Sequence, residues 1–387
     1  MRDPISKVTR DLHPSGIRKF FDIVAEMPEA ISLGVGEPDF DTPWHIREAG
    51  IYSLEKGRTF YTSNSGLLEL RQEIANYYKR KHGLDYNGKT EVLITVGGSE
   101  AIDMALRAMA DPGDEVIIPE PCYVSYVPCA KLTGAVPVTI PLQEKNEFRL
   151  TPEELLDAIT EKTKVLILAF PNNPTGAVME REDLEKIAKI CVERDIIVIS
   201  DEIYGELTYT GNPHVTIAEL PGMQERTVVI NGFSKAYAMT GWRLGYLCAP
   251  KEICDAALKI HQYVMMSAPT NSQYSAIEAL KNGEEAKNDM VAEYRIRRNL
   301  FVKGLNDIGL PCHLPHGAFY AFPSIEGTGL TDEEFAERLL TEQQVAVVPG
   351  SAFGASGVGH IRTCYAVSRA KLTEAVQRIG VFVDSLK

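Results

Sequence analysis

Cysteine is sparse and scattered in this sequence: seven along 387 residues, none in a Cys-x-x-Cys pair. That spacing argues against a disulfide framework and a thiolate metal centre, and it suits a reducing compartment such as the cytoplasm. Long apolar runs are missing too. Stretches such as Val165 to Phe170 fall far short of the ~20 residues that a membrane helix needs, so no membrane association is expected. Met1 to Arg10 mixes charged and polar residues without an apolar core, so no signal peptide is expected. Basic excess is absent: 40 Lys and Arg stand against 53 Asp and Glu, a formal charge of −13. A nucleic-acid binder would want the opposite balance. Internal repeats and low-complexity segments are also lacking. What is present is a 44% apolar chain, long enough for a large core and, by length, for two domains.

Hydrophobic patterning divides the chain. Ile17, Phe20, Phe21 and Val24 recur at helical spacing in an amphipathic lead-in. Helices are expected over 44–54 and 67–81, with the polar loop Tyr61-Thr-Ser-Asn-Ser-Gly66 between them. From Val92 strands and helices alternate. Expected strands are 92–96, 115–118, 135–140, 165–170, 196–200, 227–230 and 244–249. Helices are expected from Gly97 through Ala110, over 123–132, from Thr151-Pro-Glu-Glu154 onward, and over 181–194. The fully apolar strands 165–170 and 196–200 read as members of a parallel sheet covered on both faces. Past residue 282 the pattern becomes α+β: a charged helix over 284–305, strands over 312–322, 345–348 and 360–366, a helix over 332–341 and a final helix to 386. The expectation is an α/β chain with a mostly parallel, doubly wound large domain over 46–282. Residues 283–387, with the lead-in 1–45, form a smaller α+β domain.

Ligands of doubly wound sheets sit beyond the carboxyl ends of the strands. In this chain those ends carry Gly98-Ser99, Asn172-Asn173-Pro174, Asp201-Glu202-Ile203-Tyr204 and Ser234-Lys235. Lys235 is the only lysine between two apolar strands. On its own it reads equally as a solvated loop residue or as an amine nucleophile freed of its proton by burial.

Asn173-Pro-Thr-Gly176, Asp201-Glu-Ile-Tyr204, Ser234-Lys235 and Gly241-Trp-Arg-Leu-Gly245, with Ser32-Leu-Gly-Val-Gly-Glu-Pro-Asp39 before them and Arg362 after, resemble the class I/II aminotransferases. These are fold-type-I enzymes that use pyridoxal 5′-phosphate, and the likeness is greatest to aromatic and aspartate aminotransferases of bacteria and archaea. It spans nearly the whole chain, with the motifs in order at strand ends.

The resemblance implies roles. Lys235 would hold the cofactor aldehyde as a Schiff base and, once displaced by substrate, act as the proton-moving amine. Asp201 would keep the pyridine nitrogen protonated. Asn173 and Tyr204 would hydrogen-bond the phenolic oxygen, and Tyr123 would stack on the ring. Arg243, the Ser99 hydroxyl and the backbone N–H groups of Ser99 and Glu100 would hold the phosphate. Gly232 stands where the family carries a further hydroxyl, and Ser234 beside the lysine is the alternative. Tyr61 would reach the phosphate of a partner subunit, so a homodimer with shared sites is implied. Arg362 would grip the substrate α-carboxylate bidentately, close to the backbone of Gly36. Ile17 and Phe20-Phe21 would line a side-chain pocket, although Arg18 would equally suit a dicarboxylate. The activity implied is amino transfer from an L-amino acid, aromatic within a broad range, to a 2-oxo acid such as 2-oxoglutarate. Aspartate aminotransferase and a C–S β-lyase on the same scaffold are the alternatives, and no metal is implied.

Overall fold

The computed structural model describes residues 2–12, 14, 27 and 29–387. The lead-in residues Ile17, Arg18, Phe20, Phe21 and Val24 lie outside them. The strands are β1 (Ile31–Ser32), β2 (Val92–Thr95), β3 (Glu115–Glu120), β4 (Val136–Pro141), β5 (Thr163–Ala169), β6 (Ile197–Asp201), β7 (Thr227–Gly232), β8 (Gly245–Cys248), β9 (Tyr320–Ala321), β10 (Val345–Ala346), β11 (Val348–Pro349) and β12 (Ile361–Cys364). Seven of them form one sheet in the order β2-β8-β7-β6-β5-β3-β4, in which only β8 runs antiparallel to its neighbours. No α-helix separates β7 from β8, only a 3-10 turn at Thr240–Trp242, so the chain returns alongside itself rather than crossing over.

Alternation along each strand sends side chains to opposite faces, and both faces are covered. Val165 and Ile167 pack with Ile102, Leu106 and Ile199 on one side. Leu166 and Leu168 pack with Leu184, Ile187 and Val198 on the other. Gly97–Met109 and Arg181–Glu193 are the covering helices named by those residues. The helix over Pro152–Ala158 starts as its sequence predicts. Thr151 caps it, and Thr151 and Glu154 complete a reciprocal capping box. Two more helices, Lys251–Val264 and Thr270–Asn282, follow the sheet, and no sequence motif marks either.

The C-terminal part carries the long helix Glu284–Asp307, a three-stranded antiparallel sheet in the order β11-β12-β9, the parallel pair β1-β10, and the helices Asp332–Gln343 and Arg369–Ser385. The expected strand over 312–322 shrinks to two residues. The backbone of 316–318 bonds elsewhere: His316 and Gly317 donate to the Gly176 carbonyl, and Ala318 donates to that of Leu207. The expected strand 345–348 divides between two sheets. The helix expected from Tyr123 begins at Tyr126, leaving Tyr123 on the preceding loop. Asp201 ends β6 rather than following it. No described helix is long and apolar enough to cross a membrane.

Candidate active site

The parallel strands end on one side of the large sheet, and a cavity of about 720 Å³ opens there. Its walls include Gly36, Ser99, Tyr123, Asn173, Asp201, Tyr204, Ser234, Lys235, Arg243 and Arg362, residues far apart in the sequence.

Close backbone packing builds its cationic end. Gly97 takes a left-handed φ of +77°, which glycine adopts without strain, and opens the helix Gly97–Met109. A Cβ on Gly245 would lie 2.6 Å from the Gly97 carbonyl carbon, so only glycine lets β8 approach this helix start. Arg243, just before β8, is thereby laid over Gly97: a Cβ there would meet its Nη2 at 2.7 Å. Arg243 donates through Nη1 to the Thr240 carbonyl at 3.0 Å. An arginine beside a helix N-terminus is a place for a dianion. Ser99 lines the cavity at this end. Glu100 does not. Its carboxylate folds back to accept from the Val96 N–H at 2.5 Å and meets His261 Nδ1 at 2.6 Å, while its backbone N–H, the group expected at a phosphate, stays in the first turn of the helix. Gly232 is packed tightly, with a Cβ there 3.0 Å from the Leu244 carbonyl oxygen, which explains why no hydroxyl-bearing side chain stands at that position.

The anionic end is Asp201. It is buried, with Oδ2 accepting from the Tyr126 hydroxyl at 2.8 Å and Oδ1 from the Ile203 N–H at 3.2 Å. Burial raises its pKa to about 6, the two hydrogen bonds pull it down, and neighbouring Glu202 pushes it up. A cation held against it would favour the carboxylate.

Between these ends lies Lys235. Its Nζ donates to the Gly36 carbonyl at 2.6 Å and sits 5.9 Å from the Tyr204 ring centre and 5.7 Å from that of Phe319. Burial lowers its pKa to about 8; Cys364 and Glu37 oppose that shift, and Arg362 and Arg243 add to it. Gly36 is glycine for a visible reason: a Cβ would lie 2.2 Å from the Tyr320 hydroxyl oxygen.

Arg362 enters from β12. Only 2% exposed, it donates through Nη1 to Asn173 Oδ1 at 3.1 Å and through Nη2 to the Gly34 carbonyl. Its guanidinium carbon lies 4.6 Å from the Tyr320 ring centre and 4.8 Å from that of Phe353. Its Nε is buried with no hydrogen-bond partner among the described residues, a donor left for something else to satisfy. The turn carrying Asn173 is held by Asn172, whose Oδ1 accepts from the Thr175 N–H and hydroxyl at 3.2 and 3.0 Å.

Two participants escape the sequence reading. Tyr126 orients Asp201, and Tyr320 shares a 2.7 Å hydroxyl–hydroxyl hydrogen bond with Tyr204. Tyr126 follows Tyr123 by three positions, a spacing that could have flagged it; Tyr320 is brought in by packing alone. Tyr61 lies off the cavity and is 81% exposed. Ile17 lies outside the described residues.

The arrangement suits pyridoxal phosphate: a dianion end at Arg243 and the helix start, a carboxylate at the far end for a ring nitrogen, and an amine of lowered pKa between them. The chain matches the family described as "Aminotransferase class I and II" over residues 28–379. It is 47% identical to the aromatic-amino-acid aminotransferase 2 of Thermococcus litoralis and 49% identical to the aspartate aminotransferase of Pyrococcus abyssi, each over 95% of both chains. The crystal structure of an aromatic aminotransferase from Pyrococcus horikoshii OT3 superposes with a TM-score of 0.91 at 47% identity, covering 95% of this chain and 99% of that one. Extent of match, identity and shared fold agree, and this chain belongs to the class I and II aminotransferases.

Proposed function

We propose that this pyridoxal-phosphate aminotransferase takes the amino group from L-amino acids of broad range, aromatic ones included, and passes it to a 2-oxo acid such as 2-oxoglutarate. The observation that carries the reading is Arg362, a buried guanidinium on the cavity wall with a spare Nε, which would bind the α-carboxylate that every amino acid shares. A planar fork binds a carboxylate bidentately whatever the side chain. Among the described residues the cavity's other cations are Lys235 and Arg243, and its remaining walls include Tyr123, Tyr126, Tyr320, Ile102, Val124 and Pro171. An apolar, aromatic wall suits an aromatic side chain.

When bound, the cofactor supplies an aldehyde carbon for the substrate amine and a ring that accepts electrons from Cα. This chain's residues do the rest. Arg243, the first turn at Ser99 and the Ser234 hydroxyl hold the phosphate. Asp201, held by Tyr126, keeps a proton on the ring nitrogen. Asn173 and Tyr204 hold the phenolic oxygen, and Tyr123 covers the ring. Lys235, whose pKa is lowered by burial, would take the Cα proton and return it across the amino nitrogen to the cofactor's aldehyde carbon. Gly36 keeps the backbone close to the substrate carboxylate.

Residues 46–282 are taken as the cofactor-holding domain, and 283–387 with the lead-in as the domain that carries Arg362 over it and expels water. The enzyme works as a homodimer in which Tyr61 reaches the partner's phosphate. Supporting this, the Tyr61 loop is exposed yet pinned: Thr270 Oγ1 donates to the Phe60 carbonyl at 2.8 Å and Asn64 Nδ2 to that of Met266 at 2.6 Å. Seven free thiols suit the cytoplasm.

The test is Arg362→Lys, which keeps the charge and loses the fork. kcat/KM should fall by about 1.5–3 kcal/mol, the worth of a charged hydrogen bond, for phenylalanine and aspartate alike, with the cofactor spectrum unchanged. A loss confined to aspartate would make Arg362 a reader of side chains and overturn the reading. Pyruvate and ammonia released from cystathionine would favour the lyase.

A further inference from the structure

Outside the catalytic cavity, three half-buried side chains converge where the loop after β4 meets the segment leading into β9. One ring nitrogen each of His313 and His316 and one carboxylate oxygen of Glu147 lie within 4.8 Å of one another. The two imidazole rings stand 5.8 Å apart at 71°, so their edges rather than their faces meet. His313 Nε2 is buried and has no hydrogen-bond partner among the described residues. A buried ring nitrogen with nothing to bond calls for an explanation, and an unseen ion is one.

We propose that Glu147, His313 and His316 bind a divalent transition-metal ion, with zinc the best match. Two imidazole nitrogens and one carboxylate oxygen are donors of the kind zinc takes, whereas magnesium and calcium prefer all-oxygen shells. At metal–donor distances of about 2.0–2.2 Å, donors of a tetrahedral site lie roughly 3.4 Å apart. Small side-chain rotations therefore close the group around an ion, with water in the fourth position.

The backbone on both sides is already fixed. His316 N–H donates to the Gly176 carbonyl at 3.0 Å, the His316 carbonyl accepts from Tyr209 N–H at 2.8 Å, and Arg298 Nη1 donates to the Pro315 carbonyl at 3.0 Å. On the other side Glu147 holds a left-handed φ of +57°, with its N–H on the Glu144 carbonyl at 2.8 Å. Arg149 competes for Glu147, its Nη2 3.5 Å from Oε2, but its Nη1 also holds Asp183 at 2.9 Å. Glu147 can thus turn to an ion without leaving Arg149 unpaired. The ion would tie the loop at 143–149 to the segment 311–317, whose backbone supports the Asn173 turn. Its part is structural, separate from amino transfer.

The experiment takes chelator-treated holoenzyme and titrates zinc chloride by calorimetry, with thermal unfolding in parallel. Wild type should bind one zinc per chain saturably, and Tm should rise with zinc because the ion binds only the folded state. The double variant His313→Gln/His316→Gln should lose affinity by at least the roughly 10- to 100-fold that loss of an outer-shell partner costs, with no zinc-dependent rise in Tm. Its metal-free amino-transfer rate, matched to wild type, reports that it is folded. Glu147→Gln, on the loop at 143–149, gives a second variant that should weaken binding in the same direction. If wild type takes up no stoichiometric zinc, or if both variants bind zinc as wild type does (as cysteine binding would give), the proposal fails.

Discussion

Lys235 carries the clearest conflict between stability and use. Burial lowers its pKa from 10.5 to about 8, so below pH 8 the folded, cofactor-free chain holds a charge it disfavours. The sign follows from proton counts. Between pH 8 and 10.5 the unfolded chain keeps a proton on this amine that the folded chain has lost, so the contribution of Lys235 to stability rises with pH across that window and its cost vanishes above it. Lys235→Met removes the charge at similar volume. At pH 7 the cofactor-free variant should unfold at higher denaturant than wild type, by up to ~3 kcal/mol, the worth of the shift. The gain should disappear above about pH 10.5, and amino transfer should be lost at every pH. Equal midpoints at pH 7 would mean that the site does not strain this lysine. Lys235, Asp201 and Asn173 were each legible in the sequence because they stand in recognisable strings at strand ends, and Arg362, inside β12, through the resemblance alone. Tyr320 was not. It reaches the site through the packing of 316–321 against the Gly176 turn, a relation between distant segments that no local pattern carries.

At the scale of elements, the contact between β8 and the helix Gly97–Met109 decides where a phosphate can sit. Gly245→Ala would place a methyl 2.6 Å from the Gly97 carbonyl carbon and 2.7 Å from the Gly98 nitrogen, both backbone atoms. The helix start would have to withdraw. We expect a loss of stability of about 1–3 kcal/mol, typical of overpacking, together with weaker cofactor binding, read by denaturant titration and by cofactor release on dilution. Gly241→Ala, four residues earlier, meets nothing within 4 Å and should leave both unchanged. The parallel core was readable because β5 and β6 are apolar on both faces, which only a sheet covered on both sides requires. The segment 312–322 misled for the opposite reason. Only Tyr320–Ala321 joins a sheet, while the backbone N–H groups of 316–318 are satisfied by the carbonyls of Gly176 and Leu207.

At the scale of the whole molecule, large apolar side chains cluster near the Tyr61 loop and the end of Lys251–Val264: Phe60 is 82% exposed and Tyr263 87%. An exposed apolar surface of this kind is what the proposed dimer would cover. Sedimentation should give a dimer at assay concentration, and Tyr61→Phe should weaken cofactor binding without dissociating it. A fully active monomer would contradict both. The sequence suggests a dimer only through Tyr61, by resemblance, since apolar surface on one chain has no periodic signature. The central claim, that this cavity moves an amino group, is tested most directly by a half-reaction. The cofactor-loaded enzyme is mixed with L-phenylalanine and no acceptor while its absorbance is followed. The account predicts a shift of the cofactor band and release of one phenylpyruvate per active site, with the original spectrum restored by 2-oxoglutarate as glutamate appears. An unchanged spectrum with phenylalanine and with every other amino acid tried, or ammonia in place of glutamate, would contradict it.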